Sequence, residues 1–308
     1  MRPSSAEPLR VLAIVGPTAV GKSALAMAVA PRLGAEIVSI DSAMVYRGMD
    51  IGTAKPSVLD RGQIRHHMID IADPSESVTV AQFQALARES IADIVSRGSV
   101  PLLVGGSGLY FRAVVDPLTF PGTDPTIRSA IQSLGENGGP ERLFERLLEV
   151  DPAAASRIEP SNVRRVVRAL EVFELTGRPF SSYRSDWDSY ESIYELEAVG
   201  LVAPRDELDE RIGARVEAMI AEGLLDEVRA LLAKGLRHSM TSVQALGYAQ
   251  LLAVIEGDIS LEQAVGEIKR RTRKFARRQM GWFRADPRIE WFESDPGGAA
   301  IRLLRGVG

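Results

Sequence analysis

Eight consecutive residues, Gly16-Pro17-Thr18-Ala19-Val20-Gly21-Lys22-Ser23, constrain this chain more than any other stretch. Glycine, four residues, glycine, lysine and a hydroxyl is the pattern of a phosphate-binding loop. The glycines let backbone N–H groups turn inward around phosphate oxygens, Lys22 supplies a point charge, and Ser23 offers a hydroxyl to Mg²⁺, directly or through water. The flanks agree. Arg10 to Gly16 (RVLAIVG) is a short, β-branched apolar run that reads as a buried strand, and Lys22 to Leu33 carries Ala, Leu and Met at helical spacing until Gly34 stops it. A helix N-terminus placed there adds its dipole to the anion site. The competing reading is a structural glycine turn; the pattern favours a ligand with two linked phosphates.

Strand and helix continue to alternate. Ala35 to Ile40 reads as a second strand, and Thr79 to Arg97 as a helix with Val80, Phe83, Leu86, Ile91 and Ile94 on its apolar face. Val100 to Val104 reads as a further strand, ending at Gly105-Gly106. That alternation means a parallel sheet covered on both faces. From Pro117 to about Tyr194 no strand-like run survives, while Glu141 to Val150 and Asn162 to Leu175 read as helices. The expected fold is therefore α/β, with a parallel-sheet core over residues 1–116 and 195–308 and a small all-helical insertion over residues 117–194. After a possible strand at Glu195 to Leu201, helices are expected at Glu207 to Glu222, Leu224 to Lys234, Ser242 to Glu256 and Leu261 to Phe283.

Composition narrows the function. The 308 residues are 45% apolar and 25% charged, an ordinary globular balance. The absence of cysteine removes disulfides, thiol nucleophiles and Cys-ligated zinc. No apolar run approaches the roughly 18 residues of a membrane helix, and Met1 to Leu9 lacks a signal-peptide core, so a cytoplasmic protein with no membrane attachment is expected. The net charge of −4 hides an asymmetry: residues 268–284 carry eight basic residues and no acidic one, leaving −12 on everything else. A basic strip on an acidic body points to a localised polyanion contact. On a helical wheel Arg270, Arg273, Lys274 and Arg277 share one side, and Ile268, Thr272, Phe275 and Phe283 lie opposite with Gln279 among them. One face packs and the other meets phosphate. Trp282 suits stacking on a base, though beside Phe283 an aromatic is more often core. His66 and His67 lack spaced partners for a metal and read as polar structure or substrate-pocket groups.

Asp41 closes the second strand, so it lies at the carboxyl edge of the sheet where ligands of open α/β folds bind. Spacing alone leaves two roles open: a partner for Mg²⁺, or a base acting on an acceptor.

Three stretches together carry a resemblance: the phosphate loop, the run Asp41-Ser-Ala-Met-Val-Tyr-Arg-Gly-Met-Asp-Ile-Gly-Thr-Ala-Lys-Pro56, and Gly105-Gly-Ser-Gly-Leu-Tyr110. With Arg168-Ala-Leu-Glu-Val172, Thr176-Gly-Arg-Pro179, Leu246-Gly-Tyr248 and Arg277-Arg-Gln-Met-Gly-Trp-Phe-Arg284 they resemble the bacterial tRNA dimethylallyltransferases over essentially residues 10–285. Ser23 and Ser107 stand where that family commonly has threonine, and both keep a hydroxyl. The resemblance implies a P-loop kinase-like fold and transfer of a dimethylallyl group from its diphosphate to N6 of adenine 37 of tRNA, with Mg²⁺. It implies that the loop, Gly16 to Ser23, holds the allylic diphosphate, that Asp41 is the base, and that Thr18 and Arg215 contact the diphosphate, with Arg211 the competing choice for the latter. Asp41, Ser42, Ala43, Met44, Ser107 and Arg128 map onto positions that touch tRNA in the family. Arg164, Arg165 and Arg168, at i, i+1, i+4, suit a grip of the insertion on the anticodon stem, and Arg270, Lys274, Arg277, Arg278, Gln279, Trp282 and Arg284 extend the RNA contact along the basic strip. A monomer is expected. A small-molecule P-loop kinase and an adenylate-directed prenyltransferase leave the basic strip unexplained; a non-catalytic RNA-binding module leaves the phosphate loop idle.

Overall fold

The computed structural model describes residues 8–183, 187, 189–239 and 241–305. They divide into two compact units, one built from the residues up to Asp116 and from Ser192 onward, the other from Pro117–Glu191.

The first unit is a six-stranded sheet. Its strands are β1 (Arg10–Val15), β2 (Ala35–Ser39), β3 (His66–His67), β4 (Val100–Gly105), β5 (Glu195–Val202) and β6 (Ile289–Glu293), in the order β3-β2-β4-β1-β5-β6. Every pairing is parallel. Along β1 the side chains alternate between faces: Val11, Ala13 and Val15 enter one core, Leu12 and Ile14 the other, and all are inaccessible to water. A strand covered on both sides needs apolar residues at every position, hence the unbroken run in the sequence.

One face is covered by α1 (Lys22–Leu33) and α12 (Pro296–Arg305), through Leu25, Val29, Ala30, Ala299 and Leu303. Against the other pack α3 (Val80–Ser96), α4 (Gly108–Val115), α9 (Leu224–Ala233), α10 (Tyr248–Glu256) and α11 (Leu261–Arg284). Helix α3 starts at a capping box between Thr79 and Gln82. Its buried stripe is Phe83, Ala87, Ile91 and Ile94; Leu86, expected on that stripe, is 41% exposed, because Ala87 occupies the inward position one residue on. Helix α8 (Arg205–Ala221) follows β5.

Several elements escape the sequence reading: the short helix α2 (Val58–Gln63), β3, α4, β6 and α12. The expected helix from Ser242 to Glu256 is instead a 3₁₀ turn at Ser242–Gln244 and a helix that begins only at Tyr248, because Gly247 takes φ 94° between them. His66 and His67 form the edge strand. His67 Nε2 lies 2.7 Å from Glu36 Oε2 and His66 Nδ1 lies 2.7 Å from the Ile64 carbonyl, so both are polar structure.

The second unit consists of α5 (Pro125–Val150), α6 (Pro152–Ala155) and α7 (Val163–Thr176) around its own core of Ile131, Leu143, Leu147, Val166, Val167 and Leu170. Helix α5 is two helices in series: Gly139, at φ 78°, breaks it before Pro140. No helix among the described residues is long and apolar enough to cross a membrane.

Candidate active site

Strands β1, β2, β4 and β5 deliver their carboxyl ends to one edge, and the loops leaving them build the site. Gly16 ends β1 at φ 143°, and a Cβ there would lie 2.4 Å from the Leu201 carbonyl oxygen on neighbouring β5. Only glycine permits that approach. Gly21 caps α1 at φ 103°, and Ala19 takes φ 64° between them, a left-handed conformation that costs a non-glycine residue roughly 1–3 kcal/mol and gathers at functional sites. Lys22 folds back over the loop, its Nζ donating to the Pro17 carbonyl at 2.6 Å.

Lys22 is half-buried, and its pKa is lowered to about 7, first by burial and then by the neighbouring Arg215 cation, with Asp41 opposing. Burial likewise lowers the pKa of Arg215, again opposed by Asp41. Three charges from three elements thus act on one another: Lys22 at the start of α1, Asp41 after β2, and Arg215 on α8. Arg211, one turn before Arg215, is exposed and pairs with Glu207 on the outside of the same helix. Ser23 stands exposed in the first turn of α1.

Asp41 is held by its own turn. Its Oδ1 accepts the Ala43 N–H at 2.8 Å, and its N–H donates to Ser39 Oγ at 3.3 Å. Ser42, Ala43 and Met44 follow, all half-buried. The rest of the signature is anchored from outside. Glu227 of α9 accepts the backbone N–H groups of Asp50 (2.9 Å), Ile51 (2.7 Å) and Gly52 (3.2 Å), and also the Tyr248 hydroxyl at 2.6 Å. Gly52 is required because a Cβ would meet the Tyr248 ring at 2.6 Å. Lys55, its side chain 1% exposed, donates to the Tyr46 carbonyl, Asp50 and Asp70. Sequence reasoning missed Glu227, because one carboxylate on a helix carries no local signal.

Helix α11 closes the site from the far side. The Gln279 Oε1 accepts the Thr18 backbone N–H at 2.9 Å. A Cβ on Gly106 would lie 2.2 Å from Gln279 Nε2, and one on Gly108 2.5 Å from Trp282 Cβ. The glycines after β4 are therefore the seat for α11. Between them Ser107, half-buried, is the N-cap of α4 without a side-chain capping bond.

A family model described as IPP transferase matches residues 44–286. The tRNA dimethylallyltransferase of Streptomyces coelicolor is 51% identical over 300 residues, covering 97% of this chain and 94% of that protein. The chain belongs to the IPP transferase family. The tRNA dimethylallyltransferase of Moorella thermoacetica is 52% identical over 300 residues, covering 95% of this chain and 92% of its own. The crystal structure of the tRNA isopentenylpyrophosphate transferase of Bacillus halodurans superposes with a TM-score of 0.71 at 40% identity, covering 98% and 96% of the two chains.

In this family member the residues expected at RNA divide by surroundings. On α11, Arg270, Lys274, Arg277, Arg278 and Arg284 are exposed. Arg270 pairs with Glu267 at 2.7 Å, as does Arg271 at 2.5 Å, so the strip is less one-signed than residues 268–284 alone suggest. Arg278 lies over the Phe275 ring at 5.8 Å. Trp282 is 45% exposed and so departs from the usual core fate, while Phe283 beside it is buried against Phe111. Gln279 is buried. In the helical unit Arg164 and Arg165 are exposed, but Arg168 donates to the Pro121 and Gly122 carbonyls and, at 2.7 Å, to Glu171. Arg128 donates to the same wholly buried carboxylate at 2.8 Å. These two arginines hold the fold of their own unit.

Proposed function

We propose that this chain transfers a dimethylallyl group from dimethylallyl diphosphate to N6 of adenine 37 in tRNA and releases diphosphate. The observation that carries the reading is the meeting of Asp41 with Lys22 and Arg215 at the phosphate loop: two cations for a leaving diphosphate and one carboxylate for a proton.

The exocyclic amine of adenine is a weak nucleophile because its lone pair is delocalised into the ring. As N6 bonds to the allylic carbon, the carbon–oxygen bond to the diphosphate breaks and its electron pair leaves with the diphosphate. The N6 proton passes to the Asp41 carboxylate, a step typically worth ~10²- to 10⁴-fold. Lys22, the loop N–H groups, the Thr18 hydroxyl and Arg215 hold the charge that develops on the leaving oxygens. Chemistry on a base edge requires the base to leave its stack, so the RNA approaches over Asp41 to Met44 and Ser107. The exposed Lys274, Arg277, Arg278 and Arg284 of α11 meet phosphate, Trp282 stacks, and Arg164 and Arg165 of the helical unit grip the anticodon stem.

Ser23 would hold Mg²⁺ at the phosphate loop, directly or through water. No cluster of three His, Cys, Asp or Glu exists among the described residues, which suits an ion shared with a substrate rather than a protein cage. Bound there, it would neutralise diphosphate charge. Because Lys22, Asp41 and Arg215 come from one chain, a monomer suffices, acting in the cytoplasm where tRNA is found.

The test is incubation with an anticodon-stem RNA, labelled dimethylallyl diphosphate and Mg²⁺, with ATP as competing donor. Label linked to the base is expected, with no phosphate transfer from ATP. Turnover of ATP without RNA prenylation would replace this reading with a kinase.

A further inference from the structure

Gln279 sits in the most basic helix of the chain and yet serves none of its exposed surface. It is 6% exposed, its Oε1 receives the Thr18 N–H of the phosphate loop at 2.9 Å, and its Nε2 lies against Gly106, where a single added methyl group would come within 2.2 Å. Three sequence signatures converge on that one amide: the loop at Thr18, the glycine turn at Gly106, and the helix itself. Gly106 also lies beside the loop's first residue, its would-be Cβ 3.1 Å from the Gly16 carbonyl oxygen. The loop needs such help. Its left-handed Ala19 directly follows Thr18, and a strained turn persists only where its surroundings hold it.

We propose that Gln279 is a positioning residue for the diphosphate: by fixing the Thr18 amide it holds the phosphate loop in its ligand-ready shape, and it makes no contact with RNA. The inference rests on the reading of the loop as the diphosphate site. The carboxamide suits the task because it is neutral. It accepts from the loop without adding a negative charge where phosphate must bind, and its N–H end turns to the glycine turn. The arrangement also explains why the polar Gln279 lies on the packing face of an amphipathic helix, opposite the arginines. There a buried polar group needs a partner, and the loop N–H is that partner.

The experiment replaces Gln279 by methionine, an apolar side chain of similar length that keeps α11 packed but cannot accept the Thr18 N–H. Binding of inorganic diphosphate with Mg²⁺ is measured by calorimetry, binding of an anticodon-stem RNA by fluorescence anisotropy, and transfer kinetics for both substrates. Loss of one hydrogen bond should weaken diphosphate roughly five- to tenfold. KM for dimethylallyl diphosphate should rise similarly, while RNA affinity and KM for RNA stay within about twofold. Gly106→Ala, which pushes on Nε2 from the other side, should act in the same direction. Unchanged diphosphate binding in Gln279→Met would overturn the proposal, leaving Gln279 a core residue; a fall in RNA affinity alone would make it an RNA contact. A wild-type protein that binds RNA but no diphosphate would instead sink the functional reading, and this proposal with it.

Discussion

A lysine whose pKa lies at about 7 is largely neutral at pH 8 while the site is empty. An arriving diphosphate reverses the cause: it places negative charge beside Nζ and favours the ammonium. Binding of dimethylallyl diphosphate at pH 8 should therefore draw up to one proton from solution. Calorimetry in buffers of different ionisation enthalpy measures that uptake; it should shrink towards pH 6, where Lys22 is already charged, and vanish in Lys22→Met. Uptake that persists in that variant would assign the proton elsewhere. Asp41 is the proposed base. Asp41→Asn should retain RNA and diphosphate binding while lowering single-turnover transfer by roughly 10²-fold or more. A loss largely restored by excess Mg²⁺ would make Asp41 a metal partner rather than the base. Lys22 and the position of Asp41 at a strand end are legible from local spacing, whereas the roles of Thr18 and Asp41 come from the resemblance. The resemblance favours Arg215 over Arg211, and packing separates their surroundings: Arg215 interacts with the Asp41 charge, while Arg211 pairs with Glu207 on the solvent side.

Among the elements, α9 and α11 hold the site's two walls. Glu227 gathers three backbone N–H groups and a tyrosine hydroxyl, so Glu227→Ala leaves those donors without an acceptor. A stability loss of about 1–3 kcal/mol is expected in urea denaturation, with a fall in turnover as the segment from Asp50 to Gly52 loses its anchor; a fully stable, fully active variant would show the anchor to be dispensable. On the proposed RNA contact, the exposed basic face of α11 should set the salt dependence. Replacing Lys274, Arg277 and Arg278 by Gln should make the log–log salt slope of RNA binding shallower by about two to three units. Arg270→Gln should change it less, because Glu267 already neutralises that guanidinium. Equal effects would mean that RNA displaces Glu267. The wheel gave the two faces of α11 from sequence, yet a window starting at Ile268 left out the acid one residue before it. Strand β6 (IEWFE) and helix α4 went unread for another reason. Each is short, and each is stabilised by neighbours far away in sequence: β6 by β5, α4 by α3 and α11.

For the whole molecule, the sheet unit must close although its chain is interrupted between Asp116 and Ser192. The wholly buried Asp116 does this. It lies 2.5 Å from Arg112 Nε and 2.6 Å from Arg288 Nη1, and Arg288 also pairs with Asp286 in the turn before β6. Arg88 of α3 donates to the carbonyls of Ala113, Val114 and Asp116, fixing the end of α4. Arg288→Met should therefore cost about 2–4 kcal/mol in urea denaturation, less than full loss of a buried pair because Arg112 still faces Asp116. A loss below ~1 kcal/mol, the size of an exposed pair, would mean that water replaces the guanidinium.

The sequence by itself determined the parallel α/β core, the phosphate loop, the sheet edge that carries the candidate site and the helical character of the segment after Asp116. Each of those follows from local chemistry: apolar runs with period two or 3.6, glycines where the backbone must turn, and a lysine and a hydroxyl in fixed order. Only the tertiary structure decided which polar residues gather around the phosphate loop and which hold the fold. Arg128 and Arg168 look like surface arginines in sequence, and the buried Glu171 claims both. Gln279 looks like part of a basic strip, and it belongs to the phosphate loop. A buried polar group must find a partner, and that partner is set by contacts across 43 residues in the case of Arg128 and 261 in the case of Gln279, a separation over which local periodicity carries no information.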